Sequence, residues 1–267
     1  MIKVESLEFK YEDGTKVLDN INIDLNKGKI VGIVGANGCG KSTLFLNIMG
    51  ILKPNKGCIK YNEVAISYNK KYLREYRKMV NIVFQDPEKQ LFYSNVYDDV
   101  AFSLRNLKIC EDEVKARVHR ALKKSGAYKF KDKPIHFLSY GEKKRVAIAG
   151  TLVLNSQVIL LDEPTSGLDP HMTKEIKNII KEISTEKNIV ISSHDMDLIY
   201  NVCDYIYVLG KGQILGEGYT EEVFLREDLL KMALLEKPWL VKVHQLLGIP
   251  LFKDEEQLVS YGIKNSK

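Results

Sequence analysis

The clearest chemistry in the chain lies in Gly35-Ala36-Asn37-Gly38-Cys39-Gly40-Lys41-Ser42, followed by Thr43. The run fits G-x-x-x-x-G-K-[ST], in which successive N–H groups turn inward and form an anion nest at the positive end of a helix. Its glycines let the backbone approach phosphates, Lys41 reaches the β- and γ-phosphates, and the Ser42 hydroxyl helps to hold Mg²⁺. From average residue frequencies, a chance match in a chain this long is about a one-in-a-hundred event. A second feature, Leu160-Leu161-Asp162-Glu163, ends an apolar run with two acids. Alone it is weak, because many strands end in a carboxylate. Beside a phosphate-binding loop it reads as the second half of a nucleotide site, since ligands sit beyond the carboxyl ends of parallel strands. Asp162 then reaches the Mg²⁺ shell, and Glu163 can polarise or deprotonate the attacking water.

These residues need a scaffold that brings strand ends together. Ile30–Val34 is short, apolar and β-branched and runs into the glycine-rich turn, which predicts a buried strand. A helix follows from Ser42 to Met49, ended by Gly50 with Pro54 beyond. Val80–Phe84, Val158–Leu161 and Ile189–Ile191 predict further strands, the last two separated by a helix over about 171–187. Strand, helix, strand at this spacing predicts a parallel sheet with crossover helices. Between Phe84 and Val158 the pattern changes: Val96, Val100, Leu104 and Leu107, then Val114, Val118 and Leu122, recur every three or four residues. Two successive helical stripes predict a helical subdomain over residues 86–157, inserted into the α/β sheet. Val4, Leu7, Phe9 and Tyr11, read as an alternation of period two, predict N-terminal antiparallel strands. Beyond Gly218, a helix-rich tail runs through Glu221–Leu235 and Trp239–Leu247, which the core is not expected to need.

Composition narrows the class of protein. Of 267 residues, 45% are hydrophobic and 28% charged, the proportions of a folded globular chain. No apolar run reaches the roughly 18–20 residues of a membrane span, and the start lacks the layout of a signal peptide. A cytoplasmic protein is expected. Forty basic residues against 35 acidic ones leave a formal charge of +5, with both signs interspersed, which does not favour a nucleic-acid partner. The basic cluster Lys143-Lys144-Arg145 is expected to be a solvated helix face. Cys39, Cys58, Cys110 and Cys203 are scattered and expected to be reduced, mostly buried thiols. The five histidines are dispersed, with no metal-ligand spacing.

The order of the phosphate loop, Gln85, Leu138-Ser139-Tyr140-Gly141-Glu142, Asp162-Glu163, Ser166-Gly167-Leu168-Asp169 and His194 resembles an ABC-transporter ATPase subunit. The resemblance covers roughly residues 1–217. It implies a P-loop NTPase (RecA-like) α/β fold with core segments 1–85 and 158–217, leaving 218–267 as a C-terminal helical extension. It also implies that Tyr11 stacks on adenine, that Gln85 touches Mg²⁺ and water while sensing a membrane partner, and that His194 contacts the γ-phosphate. By the same resemblance residues 138–142 are the signature capping the ATP of an opposite subunit, and Asp169 belongs to the loop coupling the two sites. Physically, Ser139 and Gly141 sit where a helix begins, and its free N–H groups and dipole suit a phosphate. Tyr140 and Glu142 stand where the commonest signature has Gly and Gln, with the serine and second glycine retained.

A narrower similarity begins at Gln85-Asp86-Pro87-Glu88-Lys89-Gln90-Leu91-Phe92 and continues through Val96–Phe102 and Lys143–Ala149. These segments resemble the ATPase of energy-coupling-factor (ECF) importers, which take up vitamins and transition metals. The tail around Leu229-Leu230 and Trp239–Pro250 is similar to the cobalt-importer ATP-binding subunit. The resemblance implies a short extra helix around Gln90 and membrane components docking near Gln85–Phe92. It further implies a second ATPase subunit, a copy of this chain rather than a different one, and a place on the cytoplasmic face of the cell membrane.

Overall fold

The structure, a computed structural model, describes residues 1–265. The chain order is β1 (Ile2–Lys10), β2 (Lys16–Asp24), β3 (Ile30–Val34), α1 (Lys41–Ile48), β4 (Lys56–Tyr61), β5 (Val64–Ala65), α2 (Lys70–Met79) and β6 (Val80–Val83). It continues with α3 (Val96–Asn106), α4 (Glu111–Lys124), α5 (Tyr140–Leu152), β7 (Val158–Asp162), α6 (Pro170–Ser184), β8 (Asn188–Ser193), α7 (Met196–Val202), β9 (Tyr205–Gly210) and β10 (Gln213–Tyr219). The C-terminal part holds α8 (Thr220–Phe224), α9 (Glu227–Met232), α10 (Trp239–Leu247) and α11 (Glu255–Asn265).

Two sheets result. The first is antiparallel, in the order β2-β1-β4-β5, and the second runs β10-β9-β3-β8-β7-β6. In the second, β9, β3, β8, β7 and β6 are mutually parallel, and β10 is an antiparallel edge. Strands β3 and β7 are buried along their whole length, as expected of central parallel strands covered on both faces. Parallel direction is what serves the site. The carboxyl ends of β3, β6, β7 and β8 all open on one edge, where Val34 pairs with Ser193 and Asp162 with Ser192.

The helices cover this sheet through regular apolar stripes. On α6, Ile176, Ile179, Ile180 and Ile183 are buried, each worth roughly 1.5–3 kcal/mol relative to exposure. Asp169 caps this helix, accepting from Met172 N at 2.8 Å, and Pro170 occupies its first turn. Between β6 and β7 the chain is helical, with α3, α4 and α5 packed on one another. Among the described residues no helix is long and apolar enough to cross a membrane.

Five expectations are corrected in detail. The spacing from Val4 to Leu7 is three, not two, and both residues are buried; Ser6, at φ 44°, makes an irregularity in β1 that returns Leu7 to the core face. The helix-rich tail is not an addition to the core: its two helices meet at Leu225-Arg226, and Val223, Phe224, Leu229 and Leu230 join the buried cluster of the main sheet. The helix around Gln90 is a single 3₁₀ turn at Pro87–Lys89, whose end is held by Gln90 accepting from Phe84 N at 3.2 Å. The basic cluster is not a solvated face: Lys144 is 0% exposed and Arg145 6%. Arg145 pairs with Glu175 and donates to the Gly126 carbonyl at 3.3 Å. Of the thiols, Cys39 and Cys203 are buried whereas Cys110 is exposed.

Candidate nucleotide site

The loop after β3 folds as its glycines require. Gly40, the residue before α1, adopts φ 111°, and a Cβ there would lie 2.9 Å from Leu18 Cδ2; a left-handed, crowded position of this kind excludes other side chains. Lys41 is buried and turns back over the loop, donating to the carbonyls of Gly35 at 2.7 Å and Ala36 at 3.2 Å. Its ammonium also lies 3.5 Å from Glu163 Oε1, with both side chains 6% exposed. Cys39 packs beneath the loop, and burial pushes its thiol up from the ordinary value.

The acid pair is held from the neighbouring strand. Ser192, across the register from Asp162, donates its hydroxyl to Asp162 Oδ1. Glu163 N donates to Ser192 O at 3.0 Å. Glu163 sits at φ 46°, a left-handed conformation unfavourable for a non-glycine residue and tolerated where surrounding bonds over-determine it. Those bonds are several. Glu163 Oε2 lies 2.8 Å from His194 Nδ1 and accepts from the His194 N–H and the Ser193 hydroxyl, each at 3.3 Å. The buried Ser193 hydroxyl also accepts from Asp195 N at 3.0 Å, fixing the chain after β8.

Tyr11 reaches the same cleft from the antiparallel sheet. Its hydroxyl is 3.1 Å from Thr43 Oγ1 and its ring meets Phe9 edge-on at 5.0 Å, leaving it 41% exposed. The cleft, about 630 Å³, is lined by Tyr11, Val17, Asn37, Gly38, Gly40, Lys41, Ser42, Thr43, Gln85, Glu163, Ser166 and His194. Residues from both sheets and four strand ends thus line one cleft. Gly35, Cys39 and Asp162 are not part of this lining, and Ala36 borders an adjoining cleft with His194 and Trp239.

Ser139 and Gly141 stand elsewhere, at the start of α5 and outside this cleft. Ser139 caps the helix: its hydroxyl accepts from Glu142 N at 3.3 Å, while the Glu142 carboxylate accepts from Ser139 N at 2.9 Å. Glu142 therefore completes a capping box and is committed to the backbone. Sequence reading missed Ser192 and Ser193. Two serines closing an otherwise apolar strand are the only local sign of them.

A phosphate-binding loop facing an acid pair at parallel strand ends defines a P-loop nucleoside triphosphatase. The ABC transporter family profile matches residues 18–166, and the chain belongs to that family as an ATP-binding ABC transporter ATPase. It is 52% identical over 262 residues to an ABC transporter ATP-binding protein of Listeria monocytogenes, with 98% of each chain covered. It is 48% identical over 258 residues to the cobalt import ATP-binding protein CbiO of Salmonella paratyphi A, covering 96% of this chain and 95% of the relative. Among solved structures, cbiO1 from Clostridium perfringens, part of the ABC transporter complex cbiONQ, superimposes with a TM-score of 0.79. That match has 43% identity and covers 93% of this chain and 98% of the other.

Proposed function

We propose that this chain is the ATP-hydrolysing subunit of an ECF-type importer, with cobalt ions as cargo. The observation that carries the ATPase half is the convergence of Tyr11, Lys41, Gln85, Glu163 and His194 on one cleft. The importer type and cargo are supported by the similarity to CbiO and cbiO1 and by the segments 85–92 and 229–250. In this reading the ATPase unit spans 1–217, with core segments 1–85 and 158–217 around the helical segment 86–157, and 218–267 is an accessory extension.

The residues divide the chemistry. Tyr11 stacks on adenine, and the N–H groups of residues 35–43 cradle the phosphates. The β- and γ-phosphate oxygens compete with the Gly35 and Ala36 carbonyls for the Lys41 ammonium. Glu163 takes a proton from water as its oxygen attacks the γ-phosphorus and the bond to the β-phosphate oxygen breaks, giving ADP and phosphate. His194 keeps the carboxylate aimed and stands beside the γ-phosphate. Ser42, Gln85 and Asp162 offer only hard oxygen donors, which fit Mg²⁺ and leave its remaining positions to phosphate and water. When bound, that ion neutralises charge on the phosphates.

Ser139 and Gly141 serve the ATP of a second copy of this chain, because they lie outside their own cleft. Two chains then enclose two nucleotides at the cytoplasmic face of the membrane. Membrane components dock near Gln85–Phe92, where Phe92 is exposed beside Tyr93 and Phe102. Nucleic acid has no part in this reading. Glu163→Gln should bind ATP, lower turnover by about 100-fold or more, and accumulate closed dimers on size exclusion. Near-normal turnover in that variant would remove Glu163 from the assignment.

A further inference from the structure

The start of α5 is bound to its own chain's cleft from behind. Tyr140 and Lys144 are four residues apart and share one helix face. The Tyr140 hydroxyl donates to the Gln85 carbonyl at 3.0 Å, and Lys144 Nζ donates to the Glu163 carbonyl at 2.7 Å. The ammonium also lies 5.8 Å from the centre of the Tyr140 ring. On the same turn, a Cβ added to Gly167 would meet Tyr140 Cε1 at 3.2 Å, so the ring rests on the loop before α6. One helical turn therefore touches the peptides that follow β6 and β7 and the loop that leads to α6.

The Lys144 ammonium has no surface role, and the half-exposed Tyr140 commits its hydroxyl to a backbone carbonyl. Lys144 is fully buried, and burying an ammonium is unfavourable unless a specific partner is gained. Its partner is the carbonyl of Glu163, the residue with the left-handed backbone. Holding that carbonyl fixes the peptide orientation, and with it the direction in which the Glu163 side chain leaves the strand end. Tyr140 does the same for Gln85 on the adjoining strand end.

We propose that Tyr140 and Lys144 are positioning residues. A phosphate engaging Ser139 and Gly141 at one end of this turn sets Gln85 and Glu163 in the same chain's own cleft through them. Occupancy of one nucleotide site then governs hydrolysis at the other by a rigid path of two hydrogen bonds. The proposal rests on the reading that Ser139 and Gly141 contact the second copy's ATP and that Glu163 is the base.

The full-length chain serves for the test, with kcat and KM for MgATP, the Kd for a magnesium complex of a non-hydrolysable ATP analogue, and the thermal midpoint. Tyr140→Phe removes a single oxygen from a partly exposed ring. It should lower kcat by about 3- to 10-fold, the scale of one neutral hydrogen bond, with Kd unchanged and the thermal midpoint lowered by no more than about 4 °C. Lys144→Met should lower kcat by about 10-fold or more, and Lys144→Gln, which restores a donor, should recover to within about 3-fold of wild type. Should Lys144→Met fail to fold, Tyr140→Phe and Lys144→Gln still decide. A Tyr140→Phe kcat equal to wild type overturns the proposal, as does a fall in kcat that merely tracks a fall in Kd and thermal midpoint. Glu163→Gln run alongside separates the two readings. If it is inactive while Tyr140→Phe is normal, only the positioning role fails; if it is active, both fail.

Discussion

Replacing Ser192 with alanine tests the acid pair through a residue that touches no solvent. Ser192 is 0% exposed, and its hydroxyl donates to Asp162 Oδ1, itself in a residue only 5% exposed. Ser192 Oγ also accepts from Glu163 N at 3.3 Å, although that N–H keeps its bond to the Ser192 carbonyl. Alanine thus deletes one hydrogen bond to a buried carboxylate, worth about 1.5–3 kcal/mol. In metal-free buffer the variant should lose roughly 2 kcal/mol, which for a chain of this size lowers the thermal midpoint by about 4–8 °C. Losing the partner that orients a metal-ligating carboxylate typically costs about 10–100-fold in metal affinity. The Mg²⁺ concentration for half-maximal ATPase activity should rise by that factor, while metal-free nucleotide binding holds. The assays are a melting curve and a Mg²⁺ titration of phosphate release. An unchanged Mg²⁺ midpoint in a destabilised variant refutes the link from Ser192 to the metal, and no change in either refutes the geometry of the pair.

Further outcomes follow from other contacts. Tyr11→Ala should weaken ATP by about 5- to 100-fold, the worth of one aromatic stack on a base, whereas Tyr11→Phe loses only the bond to Thr43. Isothermal titration measures both, and wild-type affinity in the alanine variant would end the stacking role. Burial lowers Lys144 from an ordinary lysine value of 10.5 to about 8. Between those values the unfolded chain binds more protons, so the folded state gains stability as pH rises across the window, by about 3 kcal/mol in full. Denaturant unfolding at intervals from pH 8 to 10.5 should show wild type gaining on Lys144→Met, and a constant difference would contradict the burial of a charged ammonium.

How much could be read before folding depends on how local each feature is. The phosphate loop was fully legible because its nest is made by consecutive backbone groups between one strand and one helix. Asp162 and Glu163 were legible because an apolar strand ending in acids is also a local pattern. Ser192 was not, because its meaning comes from the pairing of β7 with β8, which places it opposite Asp162. The packing of the tail after Gly218 is hidden for a related reason. Val223, Phe224, Leu229 and Leu230 are all buried in the core shared with the sheet, and nothing local in the sequence says which face of the tail the sheet covers.

The basic cluster shows where that division lies. By itself the sequence determined the strand-helix order, the phosphate loop, the acid pair and the family, since these are carried by residue type and short spacing. Lys143-Lys144-Arg145 looked like a solvated face because charge is ordinarily left in water. Only the tertiary structure decided otherwise. Helix α5 is packed by the sheet and by its helical neighbours, and residues 141 and 144–149 on it are buried. Burial on that scale leaves no polar stripe to read, so the fate of each charge depends on which carbonyl or carboxylate the fold brings to it. For Lys144 that group is the carbonyl of Glu163, a contact made across nineteen residues of chain.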